Sequence, residues 1–322
     1  MGGRLFPGTD RAPDCPTFGF TLDQDVDTKS EIRDFLTSRR ARIKPEEVGL
    51  TTYGPRRVPG LRREEVATLA GVSVDYYNRM ERGNLGGASE SVLEALASAL
   101  RLDEAERAHL HDLAHASQPS PRRRVRSPKQ NVRPSVQWML DSMTGSAAIA
   151  ENGRLDALAT NRLGRAFHAD LFDGSGGPVN FARFVFLDRR ANEFFADWDR
   201  AARDCAALLR LQAGRTPHDR DLSDLVGELS MQSEEFRRHW AAHNVRLHNQ
   251  GVKQFSHPVV GELELSYNRI ELPADPGLAI ITYTPEPGSK SADAFSLLAS
   301  WAATEDAQEA GLEHPPAGKA SP

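Results

Sequence analysis

Between residues 28 and 116 apolar positions recur every three or four residues, in short stretches broken by glycine, proline and serine. Ile32, Phe35 and Leu36 begin this pattern, and their spacing is that of one face of an α-helix. Thr28-Lys-Ser-Glu31 before them is a capping-box pattern, in which Glu31 supports the start of the helix. The spacing predicts five short helices, at about residues 28–42, 61–70 and 73–80, from Ser89 or Ser91 to Leu100, and from Asp103 onward, with a loop over residues 44–60.

After residue 133 two periods alternate. The stretch 262–267 alternates polar and apolar residues, and 278–283 is a buried apolar run, so both read as strands, antiparallel and adjacent across the turn at 273–277. Asn152-Gly153 predicts a tight turn between two further strands. The pattern predicts an α+β domain with a small antiparallel sheet: helices near 134–144, from Asn161, and near 190–213, 219–231, 233–241 and 289–303, and strands near 147–151, 154–160, 262–267 and 278–283.

These elements divide the 322 residues into folded and unfolded segments. Residues 117–133 combine proline and serine with six basic residues and have no apolar face, which is typical of an exposed linker. The two ends are rich in glycine and proline and have no apolar period. We therefore predict a disordered tail at 1–29, a helical domain at 30–116, the linker at 117–133, an α+β domain at 134–305 and a second disordered tail at 306–322.

The strongest motif covers residues 61–83, where two short helices flank a turn that contains Gly71. This is the pattern of a helix-turn-helix, whose second helix enters the major groove of DNA. Ser73 can cap that helix and leave its N-terminus facing phosphates. Val66, Ala67, Leu69, Ala70, Tyr77 and Met80 are predicted to pack inward, and Tyr76 to point outward to a phosphate.

The outward positions of the second helix carry side chains that suit base recognition. Arg79 can donate to guanine, Asn78 suits adenine, and Val74 can touch a thymine methyl group. Asp75 could read cytosine or orient Arg79, whereas the other arginines would hold phosphates and supply affinity and register. The predicted DNA-binding residues are Arg62, Arg63, Ser73, Val74, Asp75, Tyr76, Asn78, Arg79 and Arg82.

Two stretches resemble a known family. Residues 56–100, RRVPGLRREEVATLAGVSVDYYNRMERG followed by SVLEALASAL, look like actinobacterial helix-turn-helix regulators of the xenobiotic-response-element (XRE) class. Residues 240–289, with WAAHNVR, GVKQFSHPVVGELELSYNRIELP and YTPEPGS, are similar to the MmyB-like ligand-binding domain attached to them. The resemblance covers about residues 30–303. It implies a PAS-like sheet that binds a fatty acid or a similar apolar ligand, in a homodimeric transcription regulator.

Charge separates the two domains in the same way. Residues 30–133 hold 19 Lys and Arg against 14 Asp and Glu, a net charge of +5, whereas residues 134–322 hold 18 against 26, a net charge of −8. Only the first domain is thus expected to meet a polyanion such as duplex DNA. Two cysteines, and no apolar run long enough to cross a membrane, favour a reduced, cytoplasmic protein.

The second domain holds all four Trp and ten of the fourteen Phe. Together they could line an apolar pocket, with one cation at its mouth for a carboxylate. The candidate ligand-binding residues are Trp138, Phe167, Phe184, Trp198, Trp240, Arg246 and Lys253. An alternative reading makes this domain a dimerisation or protein-interaction module that binds no metabolite.

Other chemistry finds little support in the sequence. His239, His243 and His248 lack a carboxylate or cysteine at matching spacing, so we predict no metal site. The loop 174–177 lacks the flanking strand and helix of a dinucleotide fingerprint, and no nucleophile elbow is visible. We therefore predict no cofactor and no enzymatic activity.

Overall fold

The computed structural model describes residues 28–50, 56, 58, 60–118, 131–173, 179–245 and 249–313. Residues 28–118 form the N-terminal region and residues 131–313 the C-terminal region. The N-terminal region contains the five predicted helices and one turn of 3₁₀ helix in the predicted loop (Pro45–Val48): α1 (Thr28–Arg42), α2 (Arg63–Leu69), α3 (Val74–Glu81), α4 (Glu90–Ala99) and α5 (Glu104–Ala116). The predicted tail 1–27 and the central part of the predicted linker, 119–130, lie outside the described residues.

The helices of the N-terminal region start where polar side chains can cap them and pack through small apolar faces. Ser73, Ser89 and Asp103 each accept a hydrogen bond from a backbone N–H in the first turn of the helix that follows. Phe35 and Tyr77 are fully buried at the centre of this core. Leu69 is 37% exposed, so its predicted inward position is wrong: it lies at the end of the short α2, next to the turn.

The C-terminal region is α+β, as the sequence predicts. Its elements are α6 (Pro134–Ser142), β1 (Ala147–Asn152), β2 (Ala157–Thr160), α7 (Arg162–Phe167), α8 (Ala169–Phe172), α9 (Phe181–Leu187), α10 (Arg190–Phe194), α11 (Trp198–Arg215), α12 (Arg220–Gln232), α13 (Glu234–Ala241), β3 (Gln250–His257), β4 (Gly261–Glu271), β5 (Leu278–Pro285) and α14 (Lys290–Glu313).

The five strands form one antiparallel sheet in the order β2-β1-β5-β4-β3. The predicted antiparallel pairing of β4 with β5 is confirmed, with Ser266 opposite Thr284. On one face of the sheet, α6 packs Val136 and Leu140 against Ala148 and the neighbouring apolar residues. The helices α7 to α13 and α14 contribute to the larger core on the other face.

Four features differ from the sequence-based expectation. The strand β3 and the helices α8 and α9 were not predicted. The single helix expected near 190–213 is two helices, because residues 195–197 are not helical: Phe195 forms an isolated β-bridge with Phe255. The helix α14 extends to Glu313, past residue 306, where the sequence predicts a tail to begin. Thr28 and Lys29, assigned to the first tail, already belong to α1.

An aromatic cluster fills the core of the C-terminal region. Its centre is Phe167, whose ring centroid lies within 5.5 Å of those of Phe194, Phe255, Tyr283 and Phe295. These rings come from α7, α10, two strands and α14, so the cluster joins most layers of the region. Edge and tilted arrangements dominate, which are the geometries that aromatic pairs favour.

Candidate DNA-binding surface and ligand cavity

The second helix of the motif, α3, is oriented by the turn before it. Gly71 has φ +65°, the left-handed conformation that favours glycine. The hydroxyl of Ser73 accepts the Tyr76 N–H at 3.1 Å and caps the helix. Ala67 is fully buried beside the turn, and the Val72 N–H donates to its carbonyl. These contacts leave the N-terminus of α3 at the protein surface.

The outer face of α3 presents Val74, Asp75 and Arg79. Val74 is 42% exposed, and the other two are also exposed. The guanidinium of Arg79 lies 4.7 Å from the ring centroid of Tyr76, which is half-buried, while Tyr77 is fully buried. Tyr77 thus faces inward, whereas Tyr76 packs against the edge of the core with its ring beside Arg79. The Tyr76 ring contacts the Arg79 guanidinium and leaves its N–H groups able to donate hydrogen bonds to another molecule.

Asn78 is placed differently from these three residues. Its side chain is half-buried, and its Oδ1 is buried with no hydrogen-bond partner in the part of the chain that the structure describes. The amide therefore lies behind the exposed face that Val74, Asp75 and Arg79 form.

Three arginines flank α3. Arg62 caps α2, and Arg82 follows the last residue of α3; both are exposed. Arg63 remains half-exposed, but its Nε donates to the buried Glu81 carboxylate at 2.5 Å. Arg63 therefore has a structural partner that the sequence did not reveal.

Glu81 joins the end of α3 to α1 and α2. Its carboxylate is almost fully buried and accepts hydrogen bonds from Arg40 at 2.8 Å and from Thr37 at 3.0 Å, besides that from Arg63. Burial alone would raise the pKa of Glu81, but the hydrogen bonds from Arg40 and Arg63 outweigh it and hold the pKa below its usual range. The recognition helix is thus tied to α1 by a charged pair.

A cavity of about 300 Å³ opens beside the strand β3 in the C-terminal region. Its apolar walls are Phe195, Ala201 and Val252, and its polar side chains come from the start of α11 and from two strands. The lining residues are Phe195, Asp197, Arg200, Ala201, Val252, Lys253, Gln254 and Glu264.

Among the predicted ligand-binding residues that the structure describes, Lys253 alone lines this cavity. Its Nζ lies 5.1 Å from the ring centroid of Tyr267. Burial lowers the pKa of the ammonium group, and the nearby carboxylates of Asp204 and Glu151 oppose this effect. This half-buried ammonium group in the cavity wall is suited to an anionic ligand group.

The other predicted ligand-binding residues lie elsewhere. Phe167 and Phe184 are buried in the aromatic cluster, and Trp198 packs on Phe186 while donating its indole N–H to the Val185 carbonyl at 2.9 Å. Arg246 lies outside the described residues, as do His248 and the loop 174–177.

Two tryptophans correct the prediction. Trp138 is 70% exposed, because α6 turns Val136 and Leu140 toward the sheet and leaves Trp138 facing solvent. Trp240 stacks on Phe236 with ring centroids 5.5 Å apart and lies under the guanidinium of Arg210, at the contact between the two regions. Neither residue reaches the cavity.

Sequence reasoning missed two buried ionisable groups in the C-terminal region. Burial raises the pKa of Glu151 to about 7, although Arg269 lies 3.4 Å away. Burial lowers the pKa of His168 to about 3. In the sequence, each of these residues interrupts an otherwise apolar segment. Polar residues at exposed positions also interrupt apolar segments, so this signal does not identify a buried ionisable group.

A wider depression of about 690 Å³ lies between α7 and α14. Its walls carry Arg162, Arg165 and Asp173, with Phe172 and Trp301 beside them. Among the described residues no three His, Cys, Asp or Glu side chains form a cluster that could hold a metal, and none of the described helices is long and apolar enough to cross a membrane.

Comparison with known families divides the chain at the same place as the fold does. Residues 31–110 match a helix-turn-helix domain. Residues 132–298, more than half of the chain, match the MmyB-like transcription regulator ligand binding domain. A search of curated proteins found no match.

Proposed function

The chain belongs to the MmyB-like transcription regulators, with a DNA-binding helix-turn-helix domain and a ligand-binding domain, and on that premise we propose that it reads a specific operator as a homodimer and senses a fatty acid. The helix-turn-helix is of the XRE class. The fatty acid has different affinities for two geometries of the dimer and so shifts their populations. Only one geometry sets the two α3 helices about one DNA turn apart.

The exposed outer face of α3 is the observation that carries the DNA-binding half of the proposal. Val74, Asp75 and Arg79 project from a helix whose N-terminus is capped and free to approach phosphates. Arg79 forks onto a guanine edge in the major groove, and Asn78 contributes once its amide turns outward. Arg62, Arg63, Arg82 and the hydroxyls of Ser73 and Tyr76 hold phosphates.

The substitution Arg79→Ala tests this assignment. We expect it to cost about 1–3 kcal/mol on an operator selected from random duplex DNA and to relax the preference at one base position. The matched control is Arg82→Ala, an exposed arginine three residues further on, which should weaken binding to all sequences about equally. Arg63 is a poorer control because it also holds Glu81. If both variants lose the same affinity on every sequence, Arg79 contacts only phosphate.

The cavity beside β3 supports the sensing half of the proposal. Its volume of about 300 Å³ is at the lower end for ligand pockets and suits one acyl chain. Each buried CH₂ contributes about 0.8 kcal/mol, so a chain of about twelve carbons reaches micromolar affinity after ordering costs. Phe184 and Phe167 form the cluster behind Phe195, into which a longer chain extends by displacing side chains.

Lys253 receives the carboxylate of the fatty acid, and Arg200 stands beside it in the cavity wall. The two acidic side chains there are already engaged: Asp197 accepts the Arg200 backbone N–H at 2.9 Å, and Glu264 accepts the Gln254 amide at 3.0 Å. Lys253 and Arg200 are the two cationic side chains in the cavity wall, so they are the groups that can bind an anion.

Thermal unfolding of the full chain tests ligand binding. Dodecanoic acid should raise the melting temperature of delipidated protein by mass action on the folded state. Lys253→Met should abolish most of the rise, whereas Lys290→Met, at an exposed lysine at the start of α14, should leave it unchanged. No rise for acids of eight to eighteen carbons would refute the fatty-acid proposal.

A second candidate, a dimerisation or interaction module without a metabolite, is favoured by a different observation. Trp138 on α6 and Leu297 and Trp301 on α14 are exposed large apolar side chains. Exposed large apolar side chains that lie together are typical of protein interfaces. Native mass spectrometry separates the two candidates: a dimer with retained lipid supports the sensor, and a dimer that never carries lipid supports the module.

A further inference from the structure

A buried charged pair joins the two regions. Arg210 of α11 donates both to the carboxylate of Glu31 in α1 and to the backbone carbonyl of Trp240. Its guanidinium lies 4.0 Å from the Trp240 ring centroid. The side chains of Arg210 and Glu31 are only 2% and 8% exposed. The Glu31 carboxylate also faces the rings of His109 and His243, at 3.7 and 3.5 Å, and Arg210 is the permanently charged cation of this cluster.

The surroundings of this pair hold α1 and α5 close to α11. His243 Nδ1 lies 3.0 Å from Arg210, and its backbone carbonyl accepts a hydrogen bond from Arg39 at 2.5 Å. The His109 ring of α5 packs so closely on Gly214 of α11 that a Cβ at residue 214 would lie 2.6 Å from it. The contact between the regions is thus closely packed.

The helix α11 also forms a wall of the ligand cavity, through Arg200 and Ala201. Ala201 and Arg210 are nine residues apart, which is about 14 Å along an α-helix. A displacement of α11 at the cavity is therefore delivered, with little bending, to the charged pair at Glu31.

On the other side, α1 holds the recognition helix. Arg40 and Thr37 of α1 bind the Glu81 carboxylate at the end of α3. The backbone of Lys29 lies so close to Gly83 that a Cβ at residue 83 would come within 2.4 Å of it. Thus α1 contacts the C-terminal end of α3 through these side chains and through backbone packing at Gly83.

We propose that Arg210 is a positioning residue through which the ligand cavity controls the recognition helix. Ligand moves α11, the buried pair of Arg210 with Glu31 moves α1, and the pair of Arg40 with Glu81 moves α3. This inference rests on the proposed ligand-sensing function and names the residues that transmit its signal. The coupling requires only that the contact between the two regions has two states with different affinities for the ligand. A ligand shifts the equilibrium between two states by its preference for one of them.

The experiment compares three full-length proteins: wild type, Arg210→Gln and the control Arg203→Gln. Arg203 is an exposed residue of α11, the helix that carries Arg210. It pairs with Asp199 of α11 and not with a residue of the N-terminal region. Operator affinity is measured with and without dodecanoic acid, and hydrogen exchange is followed in α11 and α1. Glu31→Gln and the double variant Arg210→Gln/Glu31→Gln complete a double-mutant cycle on the buried pair.

We expect dodecanoic acid to change operator affinity of wild type and of Arg203→Gln by about fivefold or more, the usual lower range of allosteric coupling. In Arg210→Gln the change should fall below twofold, while exchange near the cavity still responds to the acid. Glu31→Gln should show the same loss, and the double variant no further loss. A full operator response in Arg210→Gln would overturn the proposal.

Two measurements on wild type keep the test independent of the variants and of the ligand class. If dodecanoic acid slows exchange in α11 but leaves α1 unchanged, the sensor stands and the coupling through Arg210 is refuted. If dodecanoic acid changes hydrogen exchange in no part of the protein, the fatty-acid proposal fails. Operator DNA is then added in place of the acid to test the coupling. A response of α11 to operator DNA in wild type, absent in Arg210→Gln, then supports the coupling, and no response of α11 refutes it.

Discussion

The helix-turn-helix and the sheet with its aromatic cluster treat buried charge in opposite ways. In the N-terminal region, arginines neutralise the buried Glu81. Their hydrogen bonds lower the pKa of Glu81 by more than burial raises it. In the C-terminal region, burial prevails: it raises the pKa of Glu151 and lowers that of His168, so both groups favour their uncharged forms. At these positions the helix-turn-helix holds a charged group whose pairs join α3 to α1, whereas the sheet and its aromatic cluster hold groups whose charged forms burial disfavours.

The largest effect should come from the centre of that cluster. Phe167→Ala removes the ring that touches α10, α14 and the sheet, and we expect it to lower the free energy of unfolding of the C-terminal region by about 3–5 kcal/mol. Tryptophan fluorescence measures this in urea, because all four Trp belong to the C-terminal region.

The control for Phe167→Ala is Met231→Ala on α12, where the side chain is 75% exposed. This change should stay within about 0.5 kcal/mol of wild type. If both variants are equally stable, the cluster is not the main source of stability and the comparison between the regions fails.

The second prediction concerns the pH dependence of the C-terminal region. The pKa of Glu151 is raised from its usual value of about 4.5 to about 7, so its contribution to stability is fully present below pH 4.5 and is lost as the pH rises through 7. The stability advantage of wild type over Glu151→Gln should be larger at pH 5 than at pH 8, by about 2–3 kcal/mol at 1.36 kcal/mol per pKa unit.

Urea unfolding at the two pH values, again followed by tryptophan fluorescence, gives this difference. His168 and His257 titrate in both proteins, so their contributions cancel in the comparison. A constant difference between wild type and Glu151→Gln would mean that Glu151 is ionised throughout, and that the C-terminal region also pairs its buried charges.

The smallest effect should appear in the N-terminal region, at the start of α3. Ser73→Ala removes the side chain that caps α3, and we expect it to cost about 1 kcal/mol of local stability. Hydrogen exchange of residues 74–82 measures this loss. Ser98→Ala, at an exposed position inside α4, is the control and should leave exchange in α3 unchanged. Equal exchange in α3 for both variants would contradict the capping role.

Local patterns accounted for most of the N-terminal region. The helix-turn-helix could be predicted because its determinants are neighbours in the chain: Ser73 caps the helix that it precedes, Gly71 makes its own turn, and Tyr77 faces inward by helical phase. The exposed positions of Val74, Asp75 and Arg79 follow from the same phase.

Features that depend on distant residues could not be predicted. Glu31 fits a capping box locally, but its carboxylate binds Arg210, 179 residues away. Trp138 was expected in a pocket because of its residue type, whereas the neighbouring Val136 and Leu140 decide which face of α6 is buried. The strand β3 escaped notice because exposed residues such as Gln254 alternate with half-buried Lys253 and Gly251, which carry no apolar signal.

The two outer strands of the sheet are also shielded. At β3, the Ala196 N–H donates to the Gln254 carbonyl at 3.3 Å, and beside β2 the Ala157 N–H donates to the Val179 carbonyl at 2.8 Å. Unpaired strand edges are templates for aggregation, and natural sheets commonly cover them. The short segments at 195–196 and 179–181 therefore cover part of each edge, which leaves fewer backbone groups free to pair with the strand of another molecule.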